Sequence, residues 1–138
     1  MSYITYLGSS KSLDFEILKE NEFKFTLENN GSDGNIKEII RLPYIYECMT
    51  MEENPIFFNW DTESLLHNKK FFKESVTSFL DLCEYLKLYL KPDEIAILYT
   101  HWIDDPSGDI LKIEINLNYF EIKEISISHK TLLILRSE

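Results

Sequence analysis

The clearest pattern of hydrophobic and polar positions lies in two neighbouring stretches of the C-terminal half. Apolar and polar residues alternate over 111–117, as in a strand with one buried face. Residues 95–103 are apolar on both faces, which is typical of a central strand covered on both sides. Between them, residues 105–108 (DPSG) have the residue preferences of a type I turn. The pattern predicts a β-hairpin in which a tight turn places Trp102 opposite Leu111, and a bulge would shift that register by one residue.

A helical period appears between residues 72 and 90. Apolar residues recur there at steps of four and three, at Phe72, Val76, Phe79, Cys83, Leu86 and Leu90. This spacing predicts one long amphipathic helix, with Asn68 as a candidate N-cap and Pro92 just beyond its end.

Shorter extended segments surround the helix. Strands are predicted at 3–7, 22–28, 36–41, 44–51, 56–60 and 131–135, with a further short extended piece at 15–18 and a strong turn at 29–34. Strands followed by one long helix and then more strands are typical of the α+β class. We therefore expect a single domain, 1–138, with a mostly antiparallel β-sheet and one long amphipathic helix packed on one face.

Acidic residues dominate the charge. The net charge is −10 and the pI is near 4.8, which disfavours direct binding to nucleic acid or to anionic membranes. Residues 42–68 and 92–111 each contain five acidic residues and no Lys or Arg, and together they match the whole net charge. These windows are either solvated loops or an acidic surface for a basic partner.

The two cysteines, Cys48 and Cys83, are far apart in apolar surroundings, which favours reduced buried thiols over a disulfide. No run of 18 apolar residues is present, and the first residues lack the basic and apolar regions of a secretory signal. These features predict a cytoplasmic protein.

The sequence contains no pattern that predicts catalysis or a cofactor. His67, His101 and His129 are widely separated, and no zinc spacing, glycine-rich phosphate loop or GxSxG motif occurs. The aspartates near the predicted turn lack the ligand spacing of an EF-hand calcium loop. We expect no metal, no cofactor and no catalytic residue, and hence a protein that is not an enzyme.

Aromatic residues lie within or beside both acidic windows, which is a common composition for a protein interface. The candidate partner-binding residues are Glu52, Glu53, Trp60, Asp61, Tyr99, His101, Asp104, Asp105 and Asp109. The aromatic residues could instead belong to the core, and this remains open for Tyr99 and His101. An alternative function is binding of a small molecule, or a minor enzymatic activity, in an aromatic pocket formed by Tyr44, Tyr46 and Trp102.

Two stretches, YITYLGSSKSLDF at 3–15 and HWIDDPSGD at 101–109, together with the size and acidity of the chain, carry a resemblance to a known type of protein. The chain resembles the small bacterial immunity proteins of polymorphic toxin and contact-dependent growth inhibition systems. The resemblance implies a protein that binds a cognate toxin domain, often a basic nuclease, and blocks its active site or substrate groove. A structural or assembly subunit is a third possibility, and the oligomeric state stays open.

Overall fold

The computed structural model describes residues 3–29, 34–60, 69–103, 105 and 107–137. The strands are β1 (Tyr3–Ser9), β2 (Phe25–Glu28), β3 (Tyr44–Thr50), β4 (Ile95–Trp102), β5 (Leu111–Asn116) and β6 (Thr131–Arg136). The helices are α1 (Phe15–Glu20), α2 (Gly34–Ile40) and α3 (Lys69–Tyr89), and a short 3-10 turn occupies Ile122–Glu124. The strands form one sheet in the order β2-β3-β1-β4-β6-β5, in which β5 and β6 are parallel and every other pair is antiparallel. The predicted α+β class, with a mostly antiparallel sheet and one long helix, is confirmed.

The predicted hairpin is wrong, because β6 lies between its two arms. Thr100 of β4 pairs with Thr131 of β6, and Leu111 of β5 pairs with the same residue from the other side. Trp102 therefore does not lie opposite Leu111. Strand β6 is apolar on both faces and mostly buried, whereas only one residue of β5 is buried and three are exposed. A strand with two apolar faces is stabilised most by an interior position, so β6 occupies it and the alternating β5 forms the edge.

Helix α3 covers one face of the sheet, as its period predicts. Phe79, Leu82 and Leu86 are fully buried and belong to the main hydrophobic cluster, together with Leu98 and Leu133 of the sheet. The helix ends at Tyr89, before Pro92, and the candidate N-cap Asn68 lies outside the described residues.

Both cysteines lie in this cluster as free thiols, as predicted. Burial raises the pKa of Cys83 to about 12 and also raises that of Cys48. Both side chains are therefore neutral packing groups near neutral pH.

The opposite face of the sheet carries helix α2, where the sequence predicts a strand over 36–41. Ile36 and Ile40 are four residues apart, so both point from one side of the helix onto Ile97 and Leu132. The close contact depends on Gly8, since a Cβ atom at that position would clash with Ile40 Cγ2. Gly8 therefore lies inside β1 beneath α2, and the strand continues past it to Ser9.

Helix α1 replaces the extended piece predicted at 15–18. The Asp14 side chain accepts a hydrogen bond from the backbone N–H of Glu16 at 2.8 Å, which satisfies one free donor at the start of the helix. The strand predicted at 56–60 is reduced to a single bridge between Phe58 and Ile127.

The strands predicted at 3–7, 22–28, 44–51 and 131–135 correspond to β1, β2, β3 and β6. The turn predicted at 29–34 falls largely outside the described residues. Within the described ranges, no helix has the length and apolar character needed to cross a membrane.

Candidate functional site

The fold separates the acidic residues between the two ends of the sheet. At one end of the sheet, β3 and β4 stop and β5 and β6 begin. This end carries the turn 51–54 and the loop 103–110, and we call it the acidic end. Of the candidate residues, Glu52 and Glu53 lie in the turn, and Asp105 and Asp109 lie in the loop. Only β1 separates β3 from β4, so the two strands are about 10 Å apart.

Asp93 and Glu94, which also belong to the second window, lie at the opposite end of the sheet. Glu94 forms an ion pair with Lys11 at 2.9 Å and accepts the backbone N–H of Lys91 at 2.8 Å. The hydrogen bond from Lys91 and the nearby Lys11 ammonium lower the pKa of Glu94. Its carboxylate thus stabilises the turn between α3 and β4 and is separate from the acidic end.

His129 holds the 103–110 loop next to the first residue of β6. Its Nδ1 atom accepts the backbone N–H of Trp102 at 3.0 Å, so the proton of the neutral ring is on Nε2. Nε2 lies 3.0 Å from the carbonyl oxygen of Ser107 and donates to it. One imidazole therefore connects the end of β4 to the middle of the loop, across the strand that separates β4 from β5.

Lys130 and Asp105 fix the rest of the loop. Lys130 Nζ donates to the carbonyl oxygen of Gly108 at 2.8 Å, and Gly108 has the positive φ of 92° that favours glycine. The Asp105 carboxylate accepts hydrogen bonds from the hydroxyl and the backbone N–H of Ser107, which lower its pKa. The Asp105 side chain thus bonds to the backbone two residues further on, in a loop whose flanking strands do not pair with each other.

Two aliphatic side chains lie exposed where the loop leaves β4 and enters β5. Ile103 is 51% exposed and Leu111 is 58% exposed, and Asp109 between them is also exposed. Large apolar side chains beside carboxylates form a surface that can both attract a basic protein and exclude water on contact.

The second acidic segment, the turn 51–54, is supported from beneath by α3. Glu74 accepts hydrogen bonds from the Thr50 hydroxyl and from Asn54 Nδ2, and the Thr50 hydroxyl accepts the Asn54 N–H at 3.1 Å. Glu53 has a positive φ of 63°, so the backbone turns sharply there and leaves both glutamates exposed.

The three candidate aromatic residues are not at the acidic surface. Tyr99 is 1% exposed beneath α2, which corrects the expectation that its ring could serve as a surface anchor. His101 is half-buried between the rings of Tyr6 and Tyr99, with centroid distances of 6.1 and 5.3 Å. Trp60 points inward, and its indole N–H lies 2.9 Å from the carbonyl oxygens of both Ile122 and Ile125.

The candidates Asp61 and Asp104 lie outside the described residues. The sequence interpretation missed His129, Lys130 and the two exposed aliphatic residues. His129 is 27 residues from Trp102, and only the position of β6 between β4 and β5 brings them together, so no local signal identifies it.

The aromatic pocket predicted from Tyr44, Tyr46 and Trp102 is not formed. Tyr44 pairs with Ser9 and Trp102 pairs with Tyr3, at opposite ends of β1. Tyr46 is buried and its hydroxyl accepts the N–H of Leu13.

A groove of about 630 Å³ lies between α1 and β2, next to Met51 of the turn 51–54. It is lined by the apolar residues Phe15, Leu18, Phe23, Phe25, Leu27 and Met51, with Lys19, Glu22, Lys24 and Thr26 completing its walls. It is the size of a small-molecule site, and it is open along one side.

Within the described residues, no group of three or more His, Cys, Asp or Glu side chains is arranged to hold a metal ion. No protein-family model, curated protein or solved structure matches the chain.

Proposed function

We propose that this protein is a cytoplasmic immunity protein that binds and neutralises a basic toxin domain through its acidic end. The observation that carries the proposal is the grouping of Glu52, Glu53, Asp105 and Asp109 at one end of the sheet, beside exposed aliphatic residues. The two free, buried cysteines are consistent with a reducing compartment.

The mode of inhibition follows from the charge and rigidity of this end. Carboxylates carried on anchored loops would occupy a cationic groove that otherwise holds nucleic-acid phosphate, so inhibition would be competitive with the nucleic acid. Ile103 would supply the buried apolar contact, and the bonds of His129 and Lys130 would limit the loop entropy lost on binding.

The direct experiment uses the toxin domain that such a system encodes beside its immunity gene, as the C-terminal part of a large secreted protein. We expect the two proteins to co-purify and the present chain to protect cells that express the domain. Asp109→Lys and Glu52→Lys should each slow association by about tenfold at low salt and reduce its salt dependence.

Asp93→Lys is the matched control, because Asp93 is exposed at the opposite end of the sheet and the substitution makes the same change in charge. If all three variants slowed association equally, net charge alone would explain the effect. Wild-type rates for Asp109→Lys and Glu52→Lys would exclude the acidic end as the binding site.

The groove beside β2 favours one alternative function, the binding of a small apolar molecule. Leu18→Trp would fill this groove without changing the charge of the acidic end. Loss of the biological activity in Leu18→Trp, with normal activity in Glu52→Lys, would favour the alternative.

A further inference from the structure

Among the residues that the structure describes, strand β5 is an open edge of the sheet. It pairs with β6 on one side, and its exposed Leu111 and half-buried Ile113 leave apolar surface at this edge. Open edges bind other strands readily, because their backbone donors and acceptors are unpaired. The Asn116–Tyr119 bridge closes one end of the edge and leaves 111–115 open.

The direction of the backbone groups along β5 follows from its bonds to β6. The N–H groups of Leu111 and Leu117 donate to the carbonyl oxygens of Lys130 and Arg136. Backbone groups alternate in direction along a strand, so the odd-numbered residues bond to β6. The N–H and C=O groups of Lys112 and Glu114 therefore point to the open edge.

These two residues make the edge complementary to itself, and the exposed Glu114 carboxylate, 3.4 Å from Arg136 Nη2 of its own chain, can also accept a lysine of a second copy. If a second copy pairs antiparallel about a twofold axis through Ile113, Lys112 of each copy lies opposite Glu114 of the other. This register forms two fully hydrogen-bonded pairs, hence four N–H···O bonds, and places opposite charges together on the same face. Moving the twofold axis by one residue, to Lys112 or to Glu114, would place Lys112 opposite Lys112 or Glu114 opposite Glu114, and like charges disfavour both registers.

We propose that β5 pairs with β5 of a second copy of this chain to form a symmetric dimer with one continuous twelve-stranded sheet. Leu111 is covered by Ile115 of the second copy on the apolar face of the joined edges. The opposite-charge pairs of Lys112 and Glu114 select this partner and this register.

The strand pairing by itself buries less surface than the roughly 1,200 Å² of a standard stable interface. We therefore expect a reversible dimer whose population rises with concentration. The twofold axis directs the two acidic ends away from each other, so each copy keeps its acidic end free. The dimer does not depend on the proposed toxin binding, and either can fail without the other.

Sedimentation velocity of the full chain over a range of concentrations tests the dimer. Lys112→Glu puts Glu opposite Glu twice, and Glu114→Lys puts Lys opposite Lys twice, so each variant should dimerise about tenfold or more weakly than wild type. Lys19→Glu, on α1 beside the opposite edge strand, is the matched control for charge and should dimerise normally.

Mixing the two variants separates charge pairing from damage to the fold. In the mixed pair, the Lys112→Glu chain has glutamate at both 112 and 114, and the Glu114→Lys chain has lysine at both positions. Each glutamate therefore lies opposite a lysine. The mixture should therefore form a heterodimer at concentrations where each variant alone is monomeric. A wild-type monomer at every soluble concentration, dimers unaffected by either substitution, or no heterodimer in the mixture would each overturn the proposal.

Discussion

Removal of the His129 hydrogen bonds should measure how strongly the 103–110 loop is anchored. His129→Phe keeps an aromatic ring beside Trp102, whose centroid lies 6.2 Å from that of His129, but removes both hydrogen bonds. The Ser107 carbonyl is exposed and can bind water instead, whereas the partly buried Trp102 N–H loses its acceptor. A buried donor without a partner costs about 1–3 kcal/mol, so we expect His129→Phe to lower the free energy of unfolding by about 1–2 kcal/mol.

His129→Asn is the matched variant, because the Oδ1 atom of asparagine can occupy the position of Nδ1 and accept the Trp102 N–H. The shorter side chain does not reach Ser107, so the loss should stay below about 1 kcal/mol. Urea unfolding followed by circular dichroism measures both variants. Equal losses in His129→Phe and His129→Asn would refute the assignment of the main stabilisation to the Trp102–His129 bond.

Three other substitutions test packing and charge. Gly8→Ala should lower the free energy of unfolding by about 1–2 kcal/mol, because its Cβ would meet Ile40 Cγ2, and Ile40→Leu, which removes that methyl group, should restore part of the loss in urea unfolding. Ser75→Ala should raise the melting temperature in calorimetry, since the Ser75 hydroxyl is fully buried and has no hydrogen-bond partner among the described residues; a lower value would contradict this. Because hydrogen bonds from Ser107 lower the folded-state pKa of Asp105, their stabilisation is present above the unfolded pKa of about 3.9 and is lost as pH falls through the lower folded value. The difference in urea midpoint between wild type and Asp105→Asn should therefore shrink below about pH 4, and a constant difference would contradict the contribution of charge.

The long helix and the central strand could be predicted because their patterns are long and periodic. Phe79 and Leu86 repeat with the helical period, and the two apolar faces of 95–102 require cover on both sides. Each of these two patterns lies within one segment of the chain, so the sequence alone is sufficient to predict the helix and the strand.

The position of β6 could not be predicted from local pattern. The DPSG sequence favours a turn whether its two flanking strands pair with each other or lie on either side of a third strand. Which arrangement forms depends on which strand is stabilised most by an interior position in the sheet. Strand β6 is buried on both faces and therefore takes the interior position. This position of β6 also brings His129 into contact with Trp102.

The two short helices could have been predicted from the sequence. Ile36, Ile39 and Ile40 have helical spacing, but the β-branched residues favour a strand when judged by propensity alone. Asp14 before Phe15 is a helix-capping signal of the same kind. At the acidic end, the charges were visible in the sequence, but which aromatic residues are buried depends on α2 and on the 3-10 segment that packs on Trp60.

Hydrogen–deuterium exchange of the complex with the proposed toxin domain is the most direct test of binding at the acidic end. We predict that binding slows exchange in peptides covering the turn 51–54 and the loop 103–110, and leaves β2 and α1 unchanged. Slower exchange confined to β2 and α1, with the turn and the loop unaffected, would contradict the account.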